Sequence, residues 1–340
     1  MKTLVFTGGH HTSGLEVAKE LKKQGWSILW YGHRHSLWGD SSDSAEYRDV
    51  TAAGIPFYDL KAGKFYQTYN PLKLIRIPFG FLQSLYLLLL HHPDGIVSFG
   101  GYLAVPVVIS GWLLSIPSIT HEQTVVAGFA NKLIAKFARK IAVTWPSSLS
   151  HYPNAVLTGL PLRPELLGIK NLPAGRQVIY ITGGKNGSHI INEIVFKSLS
   201  ELTNNYKVIH QTGFADLPKA ESIKNKNYEC FAYDSQKAMT ALSRASLVIS
   251  RSGAHITYEL GLLRIRCVLI PIPWVSHNEQ LKNAEILAKS DLAIILPEKN
   301  LNSESLLDSI QRALKLNPQP QNFPVNGLDR LVSLIKTEFS

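Results

Sequence analysis

The sequence predicts an α/β protein of two Rossmann-like, doubly wound parallel-sheet domains facing across a cleft. Three observations carry this expectation. Short apolar runs with strand character alternate with segments of helical apolar spacing along most of the chain. Glycine-bearing turns join strand to helix again and again, and the alternation breaks once, where prolines and glycines gather between Leu157 and Gln177. At 340 residues the chain is long for one core and comfortable for two. The break sets the expected boundaries at 1–163, 164–324 and a final segment, 325–340, that returns to the first domain.

In order, Thr3–Phe6 reads as a strand, Thr7–Ser13 as a glycine loop and Gly14–Gln24 as a helix with Leu15, Ala18 and Leu21 on one face. Adjacent Gly8 and Gly9 permit a close backbone approach to a phosphate or sugar. His10 at the loop tip carries the side chain that titrates near neutrality. It is a candidate general base, or simply a polar loop residue. Ser27–Tyr31 is the next strand, and the polar stretch His33–Asp49 reads as a loop. The apolar run from Leu72 to Leu90 is interrupted by Lys73, Arg76, Pro78 and Gln83, so it falls short of the ~20 continuous apolar residues that span a bilayer. It reads as a core helix over Leu85–Leu90, with Lys73 and Arg76 beside Leu72, Ile75, Phe79 and Leu82 at the spacing of an interfacial helix. Strand Pro93–Ser98, turn Phe99–Tyr102, helix Leu103–Leu114, strand Ile116–Thr120, loop His121–Thr124 and helix Ala127–Arg139 complete the first series.

The second series starts with strand Val178–Thr182, loop Gly183–Ser188 and helix His189–Ser200, followed by strand Lys207–Gln211. Its most informative stretch is Ser246–Leu260. Leu247–Ser250 reads as a buried strand, Arg251–Ala254 as a tight turn, and Ile256–Leu263 as a helix. A helix entered through Ser-Gly presents unpaired N–H groups and the positive end of its dipole, a natural anion site. Glu259, on the second turn, can reach a ribose diol, as an acidic residue does in dinucleotide folds; the plainer reading makes it a solvated helix residue. Strand Cys267–Pro271, loop Pro273–Glu279, helix Gln280–Lys289 and helix Asp329–Glu338 close the series.

The net charge of +10 and pI near 9.4 point to an anionic partner: nucleic acid, an acidic membrane surface or a phosphorylated substrate. No single element clusters Lys and Arg with stacking aromatics, which argues against nucleic acid. Cys230 and Cys267 lack metal-ligand or redox spacing, so a reducing compartment is expected. The opening Met1–Phe6 leaves no room for a signal-peptide hydrophobic region before Gly8-Gly9, and a cytoplasmic location is expected.

Taken together, Gly8-Gly9-His10 with Gly14-Leu15, Phe99-Gly100-Gly101-Tyr102, His121-Glu122-Gln123, Gly128 with Asn131, Gly159, Pro161 and Arg163, Gly183-Gly184 with Gly187 and Asn192, His210–Gly213, Ser250–Ala254 with Glu259-Leu260, and Gln280 with Asn283-Ala284 resemble a family. It is the MurG family of bacterial transferases, which move N-acetylglucosamine onto lipid I to form lipid II in peptidoglycan synthesis. The ordered matches run from about residue 1 to residue 296. The resemblance implies the two-domain GT-B architecture, UDP-N-acetylglucosamine as donor, a polyprenyl-diphosphate-linked muramyl peptide as acceptor, inversion at the anomeric carbon, and neither cofactor nor metal. By motif, His10 is the base and Glu122 the alternative. Gly8, Gly9, Gly100, Gly101, Tyr102 and Thr124 fall to the acceptor. Arg163, Gly183, Gly184, Lys185, Ser252, Gly253, Ala254, Glu259, Glu279 and Gln280 fall to the donor, with Arg163 at its uracil end and Gln280 at its sugar. The implied place of work is the cytoplasmic face of the membrane, held peripherally by an anionic lipid surface.

The chain departs from the family pattern at Val5 and Phe6, where glycines are usual, and at Lys185, Thr124 and Glu279, which replace Ser, Asn and Gln. Two other readings stay open: a related transferase with another polyprenyl-linked or soluble acceptor, and a UDP-sugar binder or epimerase on the same paired domains.

Overall fold

The computed structural model describes residues 1–35, 43–63, 76–169, 177–275, 278–319 and 324–340, with residue 76 described in its backbone only. It divides into two compact units, Met1–Arg163 with Phe323–Ser340, and Pro164–Asn322.

The first unit carries strands β1 (Thr3–Thr7), β2 (Ser27–Gly32), β3 (Phe57–Asp59), β4 (Gly95–Ser98), β5 (Ser118–Glu122), β6 (Lys140–Val143) and β7 (Ala155–Leu157). They form one sheet in the order β3-β2-β1-β4-β5-β6-β7, every neighbouring pair parallel. Both faces are covered, so β1 and β4 run as buried apolar stretches rather than alternating ones. Phe6 stacks on Trp30 and Phe99, and against this cluster pack Leu331, Val332, Ile335 and Phe339 of the C-terminal helix Gly327–Phe339. Arg139 pairs with Glu338 at 3.0 Å across the same contact.

The second unit carries β8 (Val178–Thr182), β9 (Lys207–Gln211), β10 (Tyr228–Phe231), β11 (Leu247–Ser250), β12 (Cys267–Leu269) and β13 (Ala293–Ile295), ordered β10-β9-β8-β11-β12-β13 and again wholly parallel. In each sheet the strand order reverses once, between β1 and β4 and between β8 and β11. A ligand of an open α/β sheet binds beyond the carboxyl ends of the strands at such a point.

Several expectations need correction. The stretch read as a loop through Asp49 gives way at Ala45 to a helix, Ala45–Ala52, capped by Ser44, whose hydroxyl accepts from Tyr47 N at 3.1 Å. The helix expected over Ala127–Arg139 is confined to Phe129–Ile134, after which the chain turns into β6. His121 and Glu122 end β5 and are buried rather than lying in a loop. In the helix Arg76–His91, Leu87 and Leu88 are core, but Tyr86, Leu89 and Leu90 are exposed, against the expected core stretch Leu85–Leu90. Leu72, Lys73 and Ile75 lie outside the described residues, as does the side chain of Arg76.

Candidate active site

In the first unit the loops after β1 and β4, the switch-point strands, interlock. Gly9 N donates to Gly100 O at 2.9 Å, and a Cβ on Gly8, whose φ is +130°, would stand 2.7 Å from the Phe99 carbonyl carbon. Gly100 has φ +69° and would set a Cβ 2.3 Å from Asn131 Oδ1, while Gly101 N donates to that oxygen at 3.3 Å. These contacts explain Gly8 and Gly100 by close approach. Gly9 is different: its φ is not positive and nothing lies within 4 Å of an added Cβ, so the fold does not demand glycine there. Tyr102, next along, packs its ring against His33 at 5.7 Å between centroids.

His10 sits half-buried at the N-cap of the helix His11–Lys23 without capping it. Burial lowers its pKa below 6.5, the nearby Glu122 charge opposes that, and His11 adds to the lowering. Its imidazole is therefore neutral, and able to take a proton, at neutral pH. Glu122 is buried with both oxygens occupied. Oε1 accepts from Thr124 N at 3.0 Å, and Oε2 from Asn131 Nδ2 at 2.8 Å and Tyr152 OH at 2.9 Å. Thr124 has one hydroxyl proton for two acceptors, Glu122 Oε1 at 2.8 Å and Val126 O at 2.6 Å. His121 is buried with its pKa pushed down to about 4, mainly by burial, and its Nε2 meets Gly159 O at 3.0 Å. Arg163, half-buried, is the last residue of the unit's first segment.

In the second unit the switch-point loops are Gly183–Ser188 after β8 and Arg251–Gly253 after β11. Gly187 and Gly213 cross so closely that added Cβ atoms would stand 1.9 Å from Thr212 O and 2.1 Å from Asn186 O. Gly184 is held from both sides, donating its N–H to Thr182 Oγ1 at 3.1 Å and accepting from Gln211 Nε2 at 2.8 Å. Lys185 lies over the Tyr233 ring at 5.6 Å. The Arg251 side chain turns inward, to Glu298 at 2.6 Å and to Ser188 Oγ at 3.0 Å, and so ties the two loops together. Ser252 is fully buried and its Oγ has no partner. Gly253 caps the helix Ala254–Leu263 with φ −64° and nothing within 4 Å of an added Cβ, so here too the fold leaves glycine unexplained. Glu259 is half-buried on that helix, near enough to Tyr180 that its charge adds to the burial that raises the phenol's pKa. Gln280 Oε1 accepts from Ile272 N at 3.0 Å, which fastens the loop before the helix Glu279–Ala288, the helix that Glu279 itself opens. Asn283 Nδ2 donates to Ser252 O at 3.1 Å and braces the turn from below.

Residues 5–143 match the glycosyltransferase family 28 N-terminal domain and residues 178–326 its C-terminal domain. The chain is 34% identical, over 99% of each protein, to the UDP-N-acetylglucosamine–N-acetylmuramyl-(pentapeptide) pyrophosphoryl-undecaprenol N-acetylglucosamine transferase of Clostridium botulinum strain Langeland. The chain belongs to this family. The Clostridium perfringens strain SM101 transferase of the same name is likewise 34% identical, over 98% of this chain and 97% of that one. Among solved structures, Acinetobacter baumannii MurG shares the fold with TM-score 0.74 at 23% identity, covering 99% of this chain and all of that one. The UDP-GlcNAc 2-epimerase of Neisseria meningitidis shares it at TM-score 0.66 and 14% identity, covering 99% of this chain and all of that one. Likeness of fold alone thus leaves transferase and epimerase side by side, and the sequence relationship decides for the transferase.

Two features of this region have no mark in the sequence. Tyr152 gave no signal, being one tyrosine before a proline. The Arg251–Glu298 pair joins residues far apart in sequence, and only the fold brings them together. Elsewhere in the first unit, Phe79, Leu82, Tyr86 and Leu89 share the outer face of the helix Arg76–His91, with Leu82 66% exposed. Trp112 and Leu113, at the end of the neighbouring helix Ala104–Leu113, are exposed as well. No helix among the described residues is long and apolar enough to cross a membrane.

Proposed function

We infer that this chain is an N-acetylglucosaminyltransferase that moves the sugar from UDP-N-acetylglucosamine to a lipid-diphosphate-linked N-acetylmuramyl pentapeptide. Family membership carries the reaction. The observation that carries the site assignment is that Gly9 and Gly253, each at a switch point, are glycines for which the fold itself gives no reason. A ligand that must touch the backbone gives one.

On this reading the acceptor diphosphate lies along Gly8, Gly9, Gly100 and Gly101, with Tyr102 and Thr124 at its side. The UDP diphosphate lies at the Ser252–Ala254 turn, on the first-turn amides of the helix Ala254–Leu263. Glu259 accepts from the ribose hydroxyls, Lys185 stands near the phosphates as a point charge, and Gln280, with Glu279, faces the donor sugar through the amide end not spent on Ile272. Arg163 serves the uracil. His10 takes the proton from the acceptor hydroxyl as its oxygen bonds to the anomeric carbon. The bond from that carbon to the UDP oxygen breaks on the opposite face, UDP leaves with the electron pair, and configuration inverts. Glu122 is a weaker candidate for base than His10, since three committed donors and a shared hydroxyl already occupy its lone pairs. Its charge instead stabilises the imidazolium as it forms.

The outward apolar stripe of Arg76–His91, with Trp112 and Leu113, supports a peripheral seat on the membrane that holds the acceptor's polyprenyl tail. The test of function is incubation with radiolabelled UDP-N-acetylglucosamine and the lipid-linked muramyl pentapeptide, with polyprenyl phosphate lacking the sugar as control. Label should enter lipid only with the muramyl acceptor; labelling of the control, or free N-acetylmannosamine in the aqueous phase, would overturn the assignment.

A further inference from the structure

The donors of Glu122 come from three separate stretches of the first unit: the turn after β5, the short helix Phe129–Ile134, and Tyr152 just beyond the 3-10 turn Pro146–His151. Each has a different consequence. Thr124 only ties the carboxylate to its own loop. Asn131 carries the connection onward, because an amide has a fixed sense. With Nδ2 committed to Glu122, Oδ1 must face the second glycine turn, where it accepts from Gly101 N and occupies the space a Cβ on Gly100 would need. The orientation of Glu122 is thereby passed to the backbone of Gly100–Gly101. Tyr152 grips the carboxylate at the oxygen it shares with Asn131. It is buried, and burial and the neighbouring carboxylate both raise its pKa, so its hydroxyl stays a donor at any pH at which the protein works.

We propose that Tyr152 is a positioning residue of the transfer reaction: its hydroxyl fixes Glu122 in the one orientation that both sets Asn131 against the Gly100–Gly101 turn and directs the carboxylate at His10. This rests on the reading that the acceptor binds at that turn and that His10 is its base. The groups facing His10 are Glu122 and His121 from β5 and His11 from its own helix, and those facing Glu122 are His10 and Tyr152.

Removing the hydroxyl has two signatures. The turn loses its brace, so acceptor KM rises. The carboxylate also shares its charge with one donor fewer, so more of it reaches His10, the imidazolium is favoured, and the acidic limb of the kcat profile moves to higher pH. Replacing Glu122 by glutamine removes that charge and moves the limb the other way. A merely structural tyrosine produces neither shift.

The experiment uses the full chain with Tyr152→Phe, Glu122→Gln and the double variant, assayed across pH with saturating UDP-N-acetylglucosamine and varied lipid-linked acceptor. For Tyr152→Phe, acceptor KM should rise about threefold to tenfold, because only part of the roughly tenfold to hundredfold worth of a hydrogen bond to a charged group reaches the acceptor through Glu122 and Asn131. Donor KM should not move, and the limb should move up. Adding Tyr152→Phe to Glu122→Gln should change acceptor KM no further, because the tyrosine acts through the carboxylate. Unchanged acceptor KM, equal rises in both KM values, or additive effects in the double variant would overturn the proposal. Should His10→Ala keep the acidic limb, the base reading falls on its own, and acceptor KM with the additivity test still decides the role of Tyr152.

Discussion

Gly253→Ala separates what the fold needs from what a ligand needs. With φ −64° and no atom within 4 Å of the added Cβ, alanine meets no steric objection from the protein. Two small effects on stability oppose each other. Alanine restricts the unfolded chain, stabilising by about 0.4–1 kcal/mol, and it is a poorer N-cap than glycine by a similar amount. The thermal midpoint should stay within a few degrees of the parent's. Donor binding should not be spared, because the methyl enters the space through which a phosphate oxygen reaches the first-turn amides. Losing one charge-assisted hydrogen bond costs about 1.5–3 kcal/mol, or roughly tenfold to a hundredfold in Kd for UDP. Titration calorimetry with UDP, beside a thermal melt, reads both quantities on one sample. Gly187→Ala is the contrast: its Cβ would lie 1.9 Å from Thr212 O at a φ of +76°, so it should lower stability outright by several kcal/mol. A stable Gly253→Ala that binds UDP as tightly as the parent would remove the diphosphate from this helix terminus.

Glu259→Ala should weaken UDP binding by about 1–3 kcal/mol while leaving the thermal midpoint of the ligand-free protein intact, and equal affinity by calorimetry would take Glu259 out of the donor site. Glu46 has its pKa raised to about 7, chiefly by burial, against hydrogen bonds from Trp30 and His33 N. The folded state therefore holds the proton that the unfolded state releases near pH 4.5, and stability should fall as pH rises between those values. Allowing for its half-burial, the loss is about 1–2 kcal/mol, and Glu46→Gln should flatten the denaturant midpoint across that window; a slope unchanged in the variant would refute the cause. The double change Leu82→Glu and Tyr86→Glu should reduce sedimentation with anionic vesicles at least tenfold, since each apolar side chain buried in lipid is worth about 1.5–3 kcal/mol. Full retention would place the docking face elsewhere.

Much of this was legible in the chain because the informative residues are consecutive. Gly8-Gly9-His10, Phe99–Tyr102 and Arg251–Ala254 each pack strand end, turn and helix start into a few positions, and apolar runs such as Leu247–Ile249 admit only a doubly covered strand. What the chain did not disclose depends on partners remote in sequence. Leu85–Leu90 reads as uniformly apolar, and nothing local says that Leu88 meets the core while Leu89 meets solvent. The short strands β3, β7 and β13 carry three residues each, too few for periodicity. Glu122 reads as a free acid in a loop until the fold buries it and brings Asn131 and Tyr152 to its carboxylate.

The proposed division of roles, His10 as base and Glu122 as the charge beside it, is tested most directly by the pH–rate profile of lipid-linked transfer in the parent, His10→Ala and Glu122→Gln. His10→Ala should lower kcat by about 10²–10⁴ and lose the acidic limb with donor KM nearly intact. Glu122→Gln should keep the limb but displace it to lower pH, because the charge that raises the His10 pKa is gone. An acidic limb that survives in His10→Ala and disappears in Glu122→Gln would make Glu122 the base and rule His10 out of that role.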